Sequence, residues 1–311
     1  MNILALQWSS RLRYDKGHIG SSLSMTQHGG KAPHLVELGS FLRSRRGSLT
    51  LEIARVTPRM QQRRVSGLRR EEVARLANIS VDYYIRIEQG RLLPTASVIE
   101  DIGSALSLEP DEVAYLKSLA NYARNPSPPT PEPSCADEAE YPNAYLRNVL
   151  DQLTNTPALI LGPRTDILAW NAMASALWLD LDRLLPRERN YIRLAFLGPG
   201  RRLFTDEDWE ETARSCVAYL RRTAAVNPGD PLLAALVDEL MDADERFAQL
   251  WDSRVVDRQD SGRKTVLHPK VGRMELEWNF FRYTGAPEQR LLLYSAVRGS
   301  ESAWRLSQLL D

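Results

Sequence analysis

Apolar residues recur at helical spacing through the first third of the chain and change to strand alternation near its end. Between Glu37 and Arg46, Leu38, Phe41 and Leu42 form one stripe, which predicts a helix with a basic end. From Leu68 to Ala77, Val73, Leu76 and Ala77 share a face, and Glu71 and Glu72 occupy the first turn, where the helix dipole favours acids. Asn78-Ile79-Ser80 predicts a tight turn, because Asn tolerates left-handed backbone, Ile79 can enter a core and Ser80 can cap the next helix. That third helix, Val81 to Gln89, stops at Gly90 and points Tyr84 and Ile87 inward. Val81, Asp82, Tyr83 and Arg86 then fall on a different face, one with no structural task. Thr95 to Leu106 and Pro110 to Tyr122 complete five helices, the last with proline at its first position.

The second half reads differently. Tyr145 to Leu153 is helical in spacing, and Pro157 to Leu161 and Asp166 to Trp170 read as short strands around a Gly162-Pro163 turn. Asn171 to Leu179 returns to helix, and residues 186–256 are mostly helical, broken at Gly198 to Gly200 and Asn227 to Pro231. Met274, Leu276, Trp278 and Phe280 then alternate with Glu275, Glu277 and Asn279, the pattern of a sheet with one buried face, and Arg290 to Val297 supplies another strand. The predicted class is therefore multidomain, an all-α N-terminal domain followed by an α+β C-terminal one.

Six of the eighteen residues from Asn125 to Pro142 are proline, which excludes helix and central strand and predicts a linker at 125–142. Residues 1–30 lack periodicity and carry Gly17, Gly20, Gly29 and Gly30 among Ser and His, so a poorly ordered extension is expected there, with Met25 as an alternative start. The domains are thus expected at 31–124 and 143–311. At 311 residues, 43% hydrophobic and 26% charged, the composition suits soluble globular domains. No apolar run approaches the roughly 18 residues of a membrane span, and no signal-peptide core or cleavage site is evident, so a cytoplasmic protein is expected. Cys135 and Cys216 are too few and too far apart for a disulfide framework or thiolate cluster. A net charge of zero hides an imbalance: residues 1–70 contain 13 basic side chains against 3 acidic ones. A polyanion would be drawn to that end and repelled by the rest.

The stretch from Arg69 to Gly90 resembles the helix-turn-helix of phage-repressor-like (XRE) regulators. Small Ala74 stands where two helices cross, Asn78 occupies the turn where the family usually has glycine, and Ile87-Glu88-Gln89-Gly90 echoes its closing signature. Tyr84 departs from the usual aliphatic residue. The resemblance implies double-stranded DNA as partner, with the third helix in the major groove. Val81, Asp82, Tyr83 and Arg86 are the expected readers behind the Ser80 cap: Arg86 suits guanine O6 and N7, Asp82 cytosine N4, and Val81 a thymine methyl. Arg69, Arg70 and Arg91 are expected on phosphates, setting register without reading sequence. Arg55, Arg59, Arg63 and Arg64 either extend that contact or form a solvated loop.

From about Leu35 onward the chain resembles the MmyB-like regulators, which join such a domain to a PAS-like ligand-binding domain. Leu68-Arg-Arg-Glu-Glu-Val, Val81-Asp-Tyr-Tyr, Ile167-Leu-Ala-Trp-Asn171, Glu188-Arg-Asn190, Leu267-His-Pro269 and Gly272 carry the likeness. It implies a transcriptional regulator, working as a homodimer, whose second domain holds a small apolar ligand such as a fatty acid. Trp170, Asn171, Trp178, Phe196, Trp251 and Trp278 are the expected pocket residues, and Arg193 and His268 the candidates to meet a carboxylate head. Periodicity does not separate pocket wall from core, and His268 beside Pro269 also reads as a turn residue bonded to backbone.

Enzyme chemistry is not expected. His268 is the sole histidine after His34, no GxSxG elbow or GxxxxGK[ST] loop occurs, and Gly198-Pro-Gly200 lacks the third glycine of a dinucleotide loop, where Leu203 stands. No metal site is expected, and no ligand for haem or flavin stands out, so no cofactor is expected. The alternative function is a protein-interaction adaptor, antitoxin-like, with no small-molecule pocket.

Overall fold

The computed structural model describes residues 32–49, 67–125, 141–178, 180–257 and 259–310. The expected N-terminal extension, nearly all of the arginine-rich segment and most of the proline-rich linker lie outside the described residues.

The first domain is helical. Helices α1 (Pro33–Ser48), α2 (Arg70–Leu76), α3 (Val81–Glu88), α4 (Ala96–Ala105) and α5 (Pro110–Arg124) bury Leu38, Phe41, Leu42, Val73, Tyr84 and Ile87 in one core. The turn between α2 and α3 forms as its residues require. Asn78 takes a φ of 53°, Ile79 N–H donates to the Ala74 carbonyl at 2.9 Å, and Ser80 Oγ accepts from Tyr83 N–H at 3.2 Å. At the other end of α3, Gly90 adopts a φ of 65°, where a Cβ would stand 2.8 Å from the Leu35 carbonyl oxygen. Only glycine combines that conformation with that approach.

The second domain is a five-stranded antiparallel sheet with helices on its inner face. Its elements are α6 (Ala144–Gln152), β1 (Ala158–Leu161), β2 (Ile167–Trp170), α7 (Ala172–Leu177), α8 (Tyr191–Phe196), α9 (Gly200–Leu203), α10 (Asp206–Val226), α11 (Pro231–Ala243), α12 (Glu245–Asp252), β3 (Ser261–His268), β4 (Gly272–Tyr283), β5 (Ala286–Ser295) and α13 (Glu301–Ser307). Strand order is β2-β1-β5-β4-β3. Alternation along β4 and β5 turns Met274, Leu276, Trp278, Leu292 and Tyr294 toward the helices. The opposite face of β1 and β5 is covered by Leu146 and Leu150 of α6. Strand β3 and helix α13 were not evident in the periodicity, whereas the expected break at Gly198 to Gly200 separates α8 from α9, which Gly200 opens. His268, expected as a turn residue, is the last residue of β3, paired with Gly272 across the hairpin.

The two domains meet along α10. Ala225, near its C-terminal end, is buried in the core of the first domain, and Val256 packs there too.

Candidate functional site

Helix α3 has a buried back and an open front. Tyr84 and Ile87 are fully buried, whereas Ser80, Val81, Asp82 and Arg86 are exposed and Tyr83 is half-buried against the core. The predicted readers thus come together on one accessible face. Arg86 and Asp82 pair at 2.9 Å across one turn, both more than half exposed, an interaction cheap enough to open for a stronger partner. Arg69 and Arg91 are exposed at either side of the helix pair.

Arg70 sits differently. Its Nε and Nη2 donate to Glu88 at 2.9 and 2.7 Å, and Arg46 Nε donates to the same carboxylate at 2.8 Å. The side chain of Glu88 has no exposure at all. Burial alone would push its carboxyl up, but the hydrogen bonds and charges of Arg46 and Arg70 outweigh that and hold it below the ordinary carboxylate range. Arg70 is therefore a strut between α2 and α3, with 42% of its side chain still exposed.

Beneath the first domain lies a second cluster of buried charge. Glu37 of α1 accepts from Arg221 Nη1 of α10 at 3.0 Å and from the Tyr115 hydroxyl of α5 at 3.3 Å. Arg221 is buried, spans to the Trp251 carbonyl and lies 4.4 Å over the Trp251 ring. Arg45 of α1 donates to the Arg254 carbonyl at 3.0 Å. Helix α1 of the first domain is thus tied to α10 and to the segment after α12, and α5 shares its Glu37.

The opposite side of α10 floors a chamber against the sheet. Thr212, Cys216 and Tyr219 face Lys264 of β3, Trp278 and Phe280 of β4 and Arg290 of β5. Burial raises the Cys216 thiol to about 12, so it is an inert wall, and lowers the Lys264 ammonium to about 8, leaving it charged at neutral pH. The hydroxyls of Tyr191 and Tyr294 bond each other at 3.1 Å beside it.

Of the ligand residues expected from sequence, Trp278 alone lines this chamber. Trp178 packs edge-on to Tyr191, Phe204 and Tyr294 behind its wall. Phe196 belongs to an aromatic core with Trp209 and Phe247, and Trp251 stacks on Phe247 at the domain junction. Trp170 donates to Asp182 at 3.1 Å, and Asn171 is a clasp that caps α7 and bonds the Leu153, Thr156 and Ala158 backbones. Arg193 is held by Glu239 at 2.5 Å, and His268 Nε2 lies 3.1 Å from the Ala176 carbonyl oxygen. Arg193 is thus engaged by a carboxylate, and His268 by a backbone carbonyl, the bond its alternative reading expected. Sequence reasoning missed Lys264 and Arg290. A signal existed for Arg290, which shares strand parity with the inward Leu292 and Tyr294.

Comparison with known families agrees with this division. A helix-turn-helix domain family matches residues 37–116, and the MmyB-like transcription regulator ligand binding domain matches residues 143–310. A search of curated proteins found no match. No helix among the described residues is long and apolar enough to cross a membrane. The second match covers more than half of the chain, and the exposed α3 face and the α10 chamber fall within the two matched regions. The chain belongs to the MmyB-like transcription regulators, with a DNA-binding helix-turn-helix and a ligand-sensing domain.

Proposed function

We propose that this regulator reads a specific operator as a homodimer and that a small ligand with an apolar body, a fatty acid among the candidates, alters that binding through the C-terminal domain. The observation that carries the reading is the open front of α3: Val81 and Asp82 in its first turn and Arg86 in its last stand in solvent while Tyr84 and Ile87 anchor its back. A helix presented this way enters the major groove, with its N-terminal residues at base edges. Arg86 then meets a guanine, Asp82 a cytosine amine, Val81 a thymine methyl and Tyr83 the flanking pair, behind the Ser80 cap. Arg69 and Arg91 take phosphates, and Arg70 contributes through its exposed part while bracing Glu88. Two copies read two half-sites one helical turn apart, as a closed dimer requires. Sheet order and the helices gathered on one face support the PAS-like reading of the sensing domain, with domain limits at 31–124 and 143–311 and a cytoplasmic site of action.

Fluorescence anisotropy on an operator fragment and on random DNA of equal length, across a salt series, tests this. Arg86→Ala is expected to cost about 1–3 kcal/mol on the operator and to relax one base position. Arg91→Ala weakens both DNAs alike and lowers the salt slope by about one. Equal losses on the two DNAs for Arg86→Ala would remove α3 from the reading role.

A further inference from the structure

Two buried cations of the α10 chamber, Lys264 and Arg290, lack a direct ion pair among the described residues, and acids reach them only at longer range: Asp208 and Glu211 act on Lys264, and Asp260 on Arg290. Lys264 and Arg290 are only 6% and 5% exposed. Lys264 Nζ donates to Thr212 Oγ1 at 3.1 Å and lies over three ring faces: Phe204 at 4.7 Å, Trp278 at 5.2 Å and Tyr294 at 5.9 Å. The Arg290 guanidinium lies 3.6 Å over Tyr219 and 4.4 Å from Phe280, and its Nε has no hydrogen-bond partner. Asp208 and Glu211 also line the chamber, yet among the described residues no carboxylate is within ion-pairing distance of either cation. Asp208 is occupied by the Thr265 N–H at 3.0 Å and the Thr205 hydroxyl.

A buried charge with no direct ion pair is expensive, and ring faces recover only part of the cost. Two such charges aimed into one aromatic chamber make sense where a negative group arrives from outside. The chamber opens to solvent on one side, and its free space is about 40 Å³, room for about three waters at the ~10–15 Å³ each occupies. That accommodates a head group, with the rest of the ligand directed to the mouth. A dianionic phosphate would be larger and costlier to dehydrate than a monoanion.

We propose that the chamber binds a compact organic carboxylate, its head held between Lys264 and Arg290 and its apolar or aromatic body against Trp278, Phe280 and Tyr219. The proposal rests on the reading of this domain as the ligand sensor and names the ligand's chemical class. Arg290 supplies a planar donor fork matched to a carboxylate, and Lys264 a compact point charge.

Matched acid and amide pairs test it on the full chain: benzoate against benzamide, phenylacetate against phenylacetamide, hexanoate against hexanamide. Thermal unfolding is read alongside operator anisotropy. At least one acid is expected to raise the midpoint by about 5 °C at large excess, its amide leaving the midpoint unmoved. Lys264→Met and Arg290→Met abolish the shift, and without ligand they unfold no earlier than wild type, because each removes a buried charge that no carboxylate pairs directly. The proposal is overturned if no acid moves the wild type, if acid and amide act alike, or if both variants respond as wild type does. Wild-type pairs decide the matter even where a variant folds poorly. Failure of the two readings is distinguishable: an acid that binds through Lys264 without changing operator affinity leaves the site and removes the sensor. A neutral compound that changes operator affinity where acids do nothing leaves the sensor and removes the carboxylate.

Discussion

Glu88 is the residue on which the DNA-side domain's polar interior converges. Its carboxylate joins Arg46 from α1 and Arg70 from α2, residues 42 and 18 positions away in sequence. Replacing it with Gln leaves Arg46, Arg70 and the more distant Arg43, 3.6 Å away, facing a neutral amide, and we expect a loss of about 3 kcal/mol in chemical denaturation, near the lower end for breaking a buried ion pair because Arg70 and Arg43 are partly exposed. The pH dependence has a defined sign. A carboxyl lowered on folding from its ordinary value of 4.5 contributes stability that is full above that value and is lost as pH falls through the lower folded one. Glu88→Gln should therefore flatten the acid limb of the stability profile, and an acid limb as steep as in wild type would contradict this role. In the sequence Glu88 appeared only as part of a closing signature, because its partners are brought to it by the fold. Lys264 escaped notice for a related reason: no strand was read over residues 261–268, so nothing indicated which way its side chain turns.

Between elements, backbone proximity sets what α1 and α3 tolerate. A Cβ at Gly39 would meet the Glu88 carbonyl group, so the two helices touch through the one side chain that is absent. Alanine ordinarily gains about 1 kcal/mol over glycine inside a helix. At Gly39 overpacking reverses the sign, and Gly39→Ala should cost about 1–3 kcal/mol net. Gly47, on the same helix with nothing within 4 Å of its Cβ position, should show the ordinary gain. Thermal unfolding of the two variants side by side checks this, and a stabilised Gly39→Ala would mean that the helices are not in contact. The helix-turn-helix was the most legible part of the chain, since Asn78, Ser80 and Gly90 impose their turn, cap and stop locally. The aromatic ligand residues were not, because Trp178, Phe196 and Trp251 satisfy the same periodicity as core that they would as pocket wall. Only their packing partners separate the two.

At the scale of the whole molecule, the described domains are joined by charge as well as by apolar contact. Glu37 is the acceptor for buried Arg221, and the Tyr115 hydroxyl shares it. Glu37→Ala strands that guanidinium, so calorimetry should show one unfolding transition in the wild type and two in the variant, the DNA-side domain melting first. Two transitions already present in the wild type would show that the domains are energetically independent.

The 21 residues of α10 form a rod of about 30 Å. It carries Cys216 and Tyr219 on the chamber floor, and Arg221 and Ala225 in the junction one turn later. Any settling of its middle is therefore transmitted with little slack to the base of α1. Linkage runs both ways along such a rod: whatever factor an occupant of the sensing domain imposes on promoter affinity, the promoter imposes on the occupant. A copy seated on its operator would then sample its metabolite with a different threshold from a copy free in solution, so the regulator's sensitivity would depend on where it stands on the chromosome.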